Sequence, residues 1–108
     1  MMKKFFFTII FTIITTTTFA ADQEFYLKIK NHKFIPEILQ VPAKKKFKLI
    51  VENLDDTVEE FESYDLKKEK IISAGKKITL IIAPLEKGEY GFVGEFHAES
   101  ARGKLIAQ

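Results

Sequence analysis

From Phe25 onward, apolar residues recur at every second position. Phe25, Leu27 and Ile29 alternate with Tyr26, Lys28 and Lys30, and Phe47, Leu49 and Val51 alternate with Lys48, Ile50 and Glu52. A period of two puts one set of side chains on a single face of a half-buried strand. The first run ends in the polar turn Asn31, His32, Lys33. Pro36 bars a helix at this point in the chain, a short strand over Ile38–Val41 stops at Pro42, and the third strand closes at Asn53.

Residues 54–72 are acidic and less regular. The pattern predicts a short strand over 58–61 and a loop or single helical turn over 63–70. A turn centred on Gly75 leads into a strand over Lys77–Ile82, and residues 84–88 form another connection. Residues 89–93 place Tyr90 and Phe92 inward, and 104–107 close the chain. Seven to eight short strands separated by Gly and Pro predict an all-β Greek-key sandwich with no helical period after residue 21.

The N-terminal stretch has a different composition. Lys3 and Lys4 precede a run from Phe5 to Phe19 made only of Phe, Thr and Ile, with small residues at Thr18 and Ala20. A basic start, about 15 uncharged residues and a small-residue motif match a secretory signal peptide, and a membrane span needs about 20. The expected division is a signal peptide over 1–20 and one domain over 21–108, exported to the periplasm without stable membrane insertion. Loss of Lys3 and Lys4 takes Lys plus Arg from 17 to 15 against 15 Asp plus Glu, so the net charge falls from +2 to zero. A neutral, interspersed surface carries no footprint for nucleic acid, and the run Lys44, Lys45, Lys46, Lys48 fits a solvated turn.

There is no Cys, and Met1 and Met2 are the only Met residues. Thiol nucleophiles, redox thiols and sulfur ligands are therefore absent from the expected domain. Two His residues without nucleophile-elbow spacing, and no phosphate-cradling Gly loop, argue against hydrolytic catalysis. What remains is two segments, Glu59-Glu60-Phe61-Glu62 and Gly94-Glu95-Phe96-His97. If both are extended, Glu60 and Glu62 share one face while Glu59 and Phe61 share the other, and Glu95 shares a face with His97. Carboxylates and an imidazole converging at one end of a sandwich make an oxygen and nitrogen site for Fe, Mn, Zn or Cu(II). On spacing alone, the alternative of solvated acids and a surface His97 stays open.

A longer pattern runs through the chain: Phe34-Ile35-Pro36, Val41-Pro42-Ala43, Asn53-Leu54-Asp55, Glu60-Phe61-Glu62-Ser63, Glu69-Lys70, Gly75, Pro84-Leu85, Gly88-Glu89-Tyr90, Gly94-Glu95-Phe96-His97 and Ala101-Arg102-Gly103. It resembles the cupredoxin-like domain of bacterial ferrous iron uptake systems. The resemblance implies a periplasmic accessory that binds or oxidises iron, or relays metal or electrons, beside an iron permease and other periplasmic uptake components. It also implies a metal site drawn from Glu60, His97, Glu95, Glu69, Glu62 and His32, the last because related domains place a site residue near that turn.

Departures from the wider cupredoxin pattern bear on the metal. Glu59 or Glu60 stands where the first copper-ligating His is expected, and Gly94 lies near the expected Cys. A blue centre of two His and one Cys is thereby excluded, leaving a non-blue site for Fe(II), Fe(III) or Cu(II). Two competing readings are a periplasmic copper carrier or copper-dependent ferroxidase, and a metal-free sandwich that binds protein partners. Enzymatic activity, if any, is of ferroxidase type.

Overall fold

Alternating apolar positions become strands because each buries one row of side chains between two sheets. The computed structural model describes residues 2–16 and 21–108. Among these the strands are β1 (Gln23–Lys30), β2 (Lys33–Ile35), β3 (Ile38–Val41), β4 (Phe47–Asn53), β5 (Glu59–Ser63), β6 (Lys68–Ile72), β7 (Lys77–Ile82), β8 (Gly88–Val93) and β9 (Arg102–Ala107). One sheet has the order β2-β1-β4-β7 and the other β3-β9-β8-β5-β6. The β1 and β4 strands run parallel, as do β3 and β9, and the remaining pairs are antiparallel.

The core lies between the sheets. In β4, Phe47, Leu49, Val51 and Asn53 are fully buried while the residues between them are half-buried. Leu27 and Ile29 of β1, Phe61 of β5, Phe92 of β8 and Leu105 of β9 complete this layer. Each buried Leu, Ile or Phe contributes about 1.5–3 kcal/mol over the exposed state, so the β core replaces the disulfides that domains this small often need. At one end the rings of Phe34, Phe61 and Phe92 pack together, with Phe34 edge-on to Phe92 at 4.8 Å.

The all-β sandwich matches expectation, with nine strands among the described residues rather than seven or eight. One extra strand, β2, arises from a two-residue hairpin in which Asn31 and His32 both have positive φ, 52° and 57°. Turns of this form match the twist of the strands they join. The other, β6, falls where a loop or helical turn was expected. Lys68, Glu69 and Lys70 give no apolar alternation, and pairing with β5 in the register Glu62 to Glu69 makes the strand.

Residues 2–16 have no regular secondary structure and are exposed. Thr18 and Ala20 lie outside the described residues. Among the described residues, no helix is long and apolar enough to cross a membrane.

Candidate metal centre

His32 sits at the tip of the β1 to β2 hairpin in a left-handed conformation uncommon for a residue with a side chain. Three contacts hold it there. The backbone N–H groups of Asn31 and His32 donate to the Asp55 carboxylate at 2.7 and 3.0 Å, and the Ser100 hydroxyl donates to the His32 carbonyl at 2.6 Å. Burial alone would raise the Asp55 pKa, but the two N–H donors and the adjacent His32 outweigh it and hold the carboxyl below its usual range.

Asp55 is in turn set by Asn53. The buried Asn53 side chain donates to the carbonyls of Thr57 and Ile72, at 2.8 and 3.1 Å, and accepts from the Asp55 N–H at 2.9 Å. The loop from β4 to β5 is thus folded around one amide, and it delivers Glu59 to the first position of β5.

Glu59 is fully buried, on the same face of β5 as Phe61. A carboxylate there needs partners, because an unpaired buried charge is prohibitive. It has two. His32 Nδ1–H donates to Oε1 at 2.7 Å and His97 Nδ1–H donates to Oε2 at 3.1 Å. The two imidazoles stack, with centroids 3.5 Å apart and planes 18° from parallel. Hydrogen bonding to Glu59 raises the His32 pKa, partly opposed by burial, with the Glu59, Asp55 and Asp56 charges adding to the rise. The side chains of His32 and His97 are 40% and 27% exposed, so ions reach both from solvent.

His97 does not lie on a strand. Residues Glu95–His97 form a 3₁₀ turn closed by the His97 N–H donating to the Gly94 carbonyl at 3.0 Å, and the N–H groups of Ser100 and Ala101 donate in turn to the His97 carbonyl. The expectation that Glu95 and His97 share a face assumed an extended segment. In the turn they diverge, His97 going to Glu59 and Glu95 to Glu60 and Glu62. Gly94, just before the turn, has no room for a thiol: a Cβ there would stand 3.0 Å from the Ala101 Cβ and 3.0 Å from the Glu60 carbonyl oxygen.

Donor atoms of His32, Glu59 and His97 lie within 4.8 Å of one another. Two imidazoles and one carboxylate without sulfur fit Fe(II), Zn(II) or Cu(II). The two Nδ1 protons directed at Glu59 occupy the lone-pair positions a cation would take. Glu59 neutralises charge at such a cation, and Asp55 and Ser100 fix the backbone from which His32 reaches it.

The candidate residues therefore fall into two groups. His32 and His97 meet at Glu59, whereas the resemblance put Glu60 in the ligand set with His97 and left Glu59 out of it. The signal for Glu59 was its phase: it shares a face with Phe61, so it is the carboxylate aimed into the sandwich. Glu60 and Glu62, on the opposite face, gather with Glu95, again with donor atoms within 4.8 Å. Glu69 faces Glu62 from β6. Burial, then the neighbouring carboxylates of Glu69, Glu62 and Glu95, push the Glu60 pKa up to about 7. Glu62 is raised by burial and by Glu95, and the Tyr64 phenol is raised by the charges of Glu62 and Glu95.

The profile of the cupredoxin-like domain matches residues 4–107. The chain belongs to this family. Its relatives include the "Uncharacterized protein RP394" of Rickettsia prowazekii (strain Madrid E), 48% identical over 83 residues that make up 77% of this chain; the match spans 66% of that protein, just under two thirds of its length. Among solved structures, this cupredoxin-like chain is similar to auracyanin A, a blue copper protein from Chloroflexus aurantiacus, with TM-score 0.69 and 10% identity over 82% of this chain and 100% of that one. It is also similar to the metal binding domain of the Cu(I) exporting P-type ATPase CopA of Streptococcus pneumoniae D39, with TM-score 0.67 and 10% identity over 79% and 84%. Amicyanin from Paracoccus versutus gives TM-score 0.61 and 16% identity over 82% and 84%. At these identities the likeness is one of fold. The cupredoxin-like scaffold is what these structures share with this chain.

Proposed function

We propose that this cupredoxin-like protein is an exported metal-binding accessory of iron uptake, holding ferrous iron at His32, Glu59 and His97 before an iron permease takes it. The observation that carries the reading is the meeting of two imidazoles on one fully buried carboxylate. Two His and one carboxylate with open positions is a donor set suited to non-haem Fe(II), and the absence of thiolate removes the soft ligand that would favour Cu(I). The partial exposure of both histidines suits an ion that must arrive and leave. Export is supported by Lys3, Lys4 and the uncharged run after them.

A copper carrier is the second reading, because the same nitrogen and oxygen donors accept Cu(II), which stands above Fe(II) in the general affinity order. The two readings are separated in cells. Uptake of radiolabelled Fe(II) is measured in a strain lacking the chain and complemented with either the native sequence or the double variant His32→Ala, His97→Ala. The iron reading predicts restoration by the native chain alone. Restored copper tolerance with unchanged iron uptake would establish the copper reading instead.

A further inference from the structure

The outer face of the β2-β1-β4-β7 sheet is laid out in rows. Cross-strand register sets Tyr26 of β1 beside Ile50 of β4, and Ile50 beside Thr79 of β7. Alternation turns all three away from the core, together with Ile81 on the same side of β7. Tyr26 is 56% exposed and Ile81 52%. Single exposed apolar side chains are ordinary, whereas a row that crosses three strands makes a patch.

The charges flanking this row alternate in sign in both directions. On one side of it Glu24 stands beside Lys48, and on the other Lys28 stands beside Glu52. Along β1 the outward order is acid, tyrosine, base, and along β4 it is base, isoleucine, acid. Glu24 accepts a hydrogen bond from the Tyr26 hydroxyl at 2.6 Å, which keeps both side chains over this face. Among the described residues, none of Glu24, Lys28, Lys48 and Glu52 joins an ion pair.

Such a checkerboard is complementary to itself. A two-fold axis lying along the Tyr26, Ile50, Thr79 row turns a second copy over, so that Glu24 faces Lys28 of the partner subunit and Lys48 faces Glu52 of the partner subunit. Lys77, the last outward position of β7, then lays its aliphatic stem over Ile81 of the partner subunit. An axis along the strands, between β1 and β4, would instead set β7 against β2, which spans only the Lys28 to Lys30 end of β1, and would leave Ile81 uncovered. The outer face of the other sheet carries Glu60, Glu62 and Glu69, which repel a second copy.

We infer that the outer face of β1, β4 and β7 is an interface for a second copy of this chain, forming an isologous dimer centred on Tyr26 and Ile50 and aligned by reciprocal Glu24 to Lys28 and Lys48 to Glu52 pairs. Sheets packed face to face keep their strands within about 30° of alignment. The β1 strands of the two copies therefore run antiparallel, and the two His32 hairpins lie at opposite ends of the dimer, both open to solvent. The dimer neither covers nor requires the histidine centre. Three short strands make an interface at the small end, below about 1,200 Å² in total, where association is weak and transient.

The chain is expressed at full length, and the exported protein is followed by sedimentation velocity at loading concentrations from micromolar to millimolar. The native protein should pass from monomer to dimer over that range, and added salt should weaken the dimer. Glu24→Lys and Lys28→Glu should each raise the dissociation constant about tenfold or more. The double variant should return it close to the native value. Glu24 and Lys28 are about 13 Å apart along one strand, too far for a direct pair within a chain, so this rescue reports a contact between copies. Ile50→Lys sets two like charges against each other at the axis and should leave only monomer, with thermal unfolding checking that the variant is folded. A native chain that stays monomeric at millimolar concentration would overturn the inference. So would a double variant that associates no better than the single reversals, or undiminished association in Ile50→Lys.

Discussion

The imidazole rings of His32 and His97 lie face to face, 3.5 Å between centroids, and both turn Nδ1 toward the same carboxylate, Glu59. They come from a hairpin and a 3₁₀ turn 65 positions apart in sequence, and the Ser100 hydroxyl bound to the His32 carbonyl ties the two loops together. The pair is therefore a property of the tertiary fold.

Metal affinity at this centre should depend on the loop contacts as well as on the donors. Asp55→Ala releases the strained backbone of His32, and Ser100→Ala unties the loops. Loss of groups that orient ligands costs about 10–100-fold in metal affinity. Calorimetric titration with Cu(II) should show losses of that order in either variant, with β content unchanged by circular dichroism.

Affinity should also rise with pH. The His32 pKa is raised above 6.5 by its bond to Glu59, so a proton competes with metal to a higher pH than for a free imidazole. Cu(II) titrations between about pH 6 and 8 should show tighter binding at the upper end. His32→Gln should flatten the profile as well as weaken it.

Stability of the metal-free protein should run the other way. Glu60 has an ordinary pKa of 4.5 and is pushed up to about 7 in the fold. Between these values the folded state keeps a proton that the unfolded chain has lost, so the stability present below 4.5 is lost as pH rises through about 7. Glu62, also raised, acts in the same direction. His32 contributes stability that is complete below 6.5 and lost as pH passes its raised value. From Glu60 alone, urea unfolding should show a decline on the order of 1–2 kcal/mol from pH 5 to 8. Glu60→Gln should remove much of it and raise stability at pH 8.

Two positions test the scaffold. A Cβ at Gly103 would lie 2.5 Å from the Glu37 carbonyl oxygen and 2.6 Å from the Phe92 ring, so Gly103→Ala should cost about 1–3 kcal/mol by overpacking. Asn53→Ala strips hydrogen bonds from the Thr57 and Ile72 carbonyls and the Asp55 N–H, and should cost about 1–3 kcal/mol. Thermal unfolding measures both. Asn53→Ala should also weaken metal binding, since the loop it holds carries Asp55 and Glu59, whereas Gly103→Ala should not.

Most of the sandwich was legible because alternation in β1, β4 and β8 reports burial directly. The β6 strand was not, since Lys68, Glu69 and Lys70 face solvent and only their partners in β5 make them a strand. At the site, the residue types were legible and their grouping was not. Whether Glu95 points with His97 or away from it depends on the 3₁₀ turn, which is set by hydrogen bonds within 94–101 that leave no periodic trace. Glu59 was identifiable by its phase with Phe61. Its two partners come from distant loops, and the hairpin placing His32 needs Asp55, 23 residues away, to hold it.

If Glu59 makes the two histidines into one metal centre, removing its charge should dismantle that centre without unfolding the chain. Glu59→Gln keeps the side chain's shape and removes the charge, and it is titrated with anaerobic Fe(II) and with Cu(II) beside the native chain. The native chain should bind at the histidines, with perturbed His32 and His97 ring resonances when redox-silent Zn(II) is the probe. In Glu59→Gln that binding should be lost or weakened at least tenfold while the fold remains. Equal affinity in the two proteins, or bound metal that leaves both imidazoles unperturbed, would refute the shared centre.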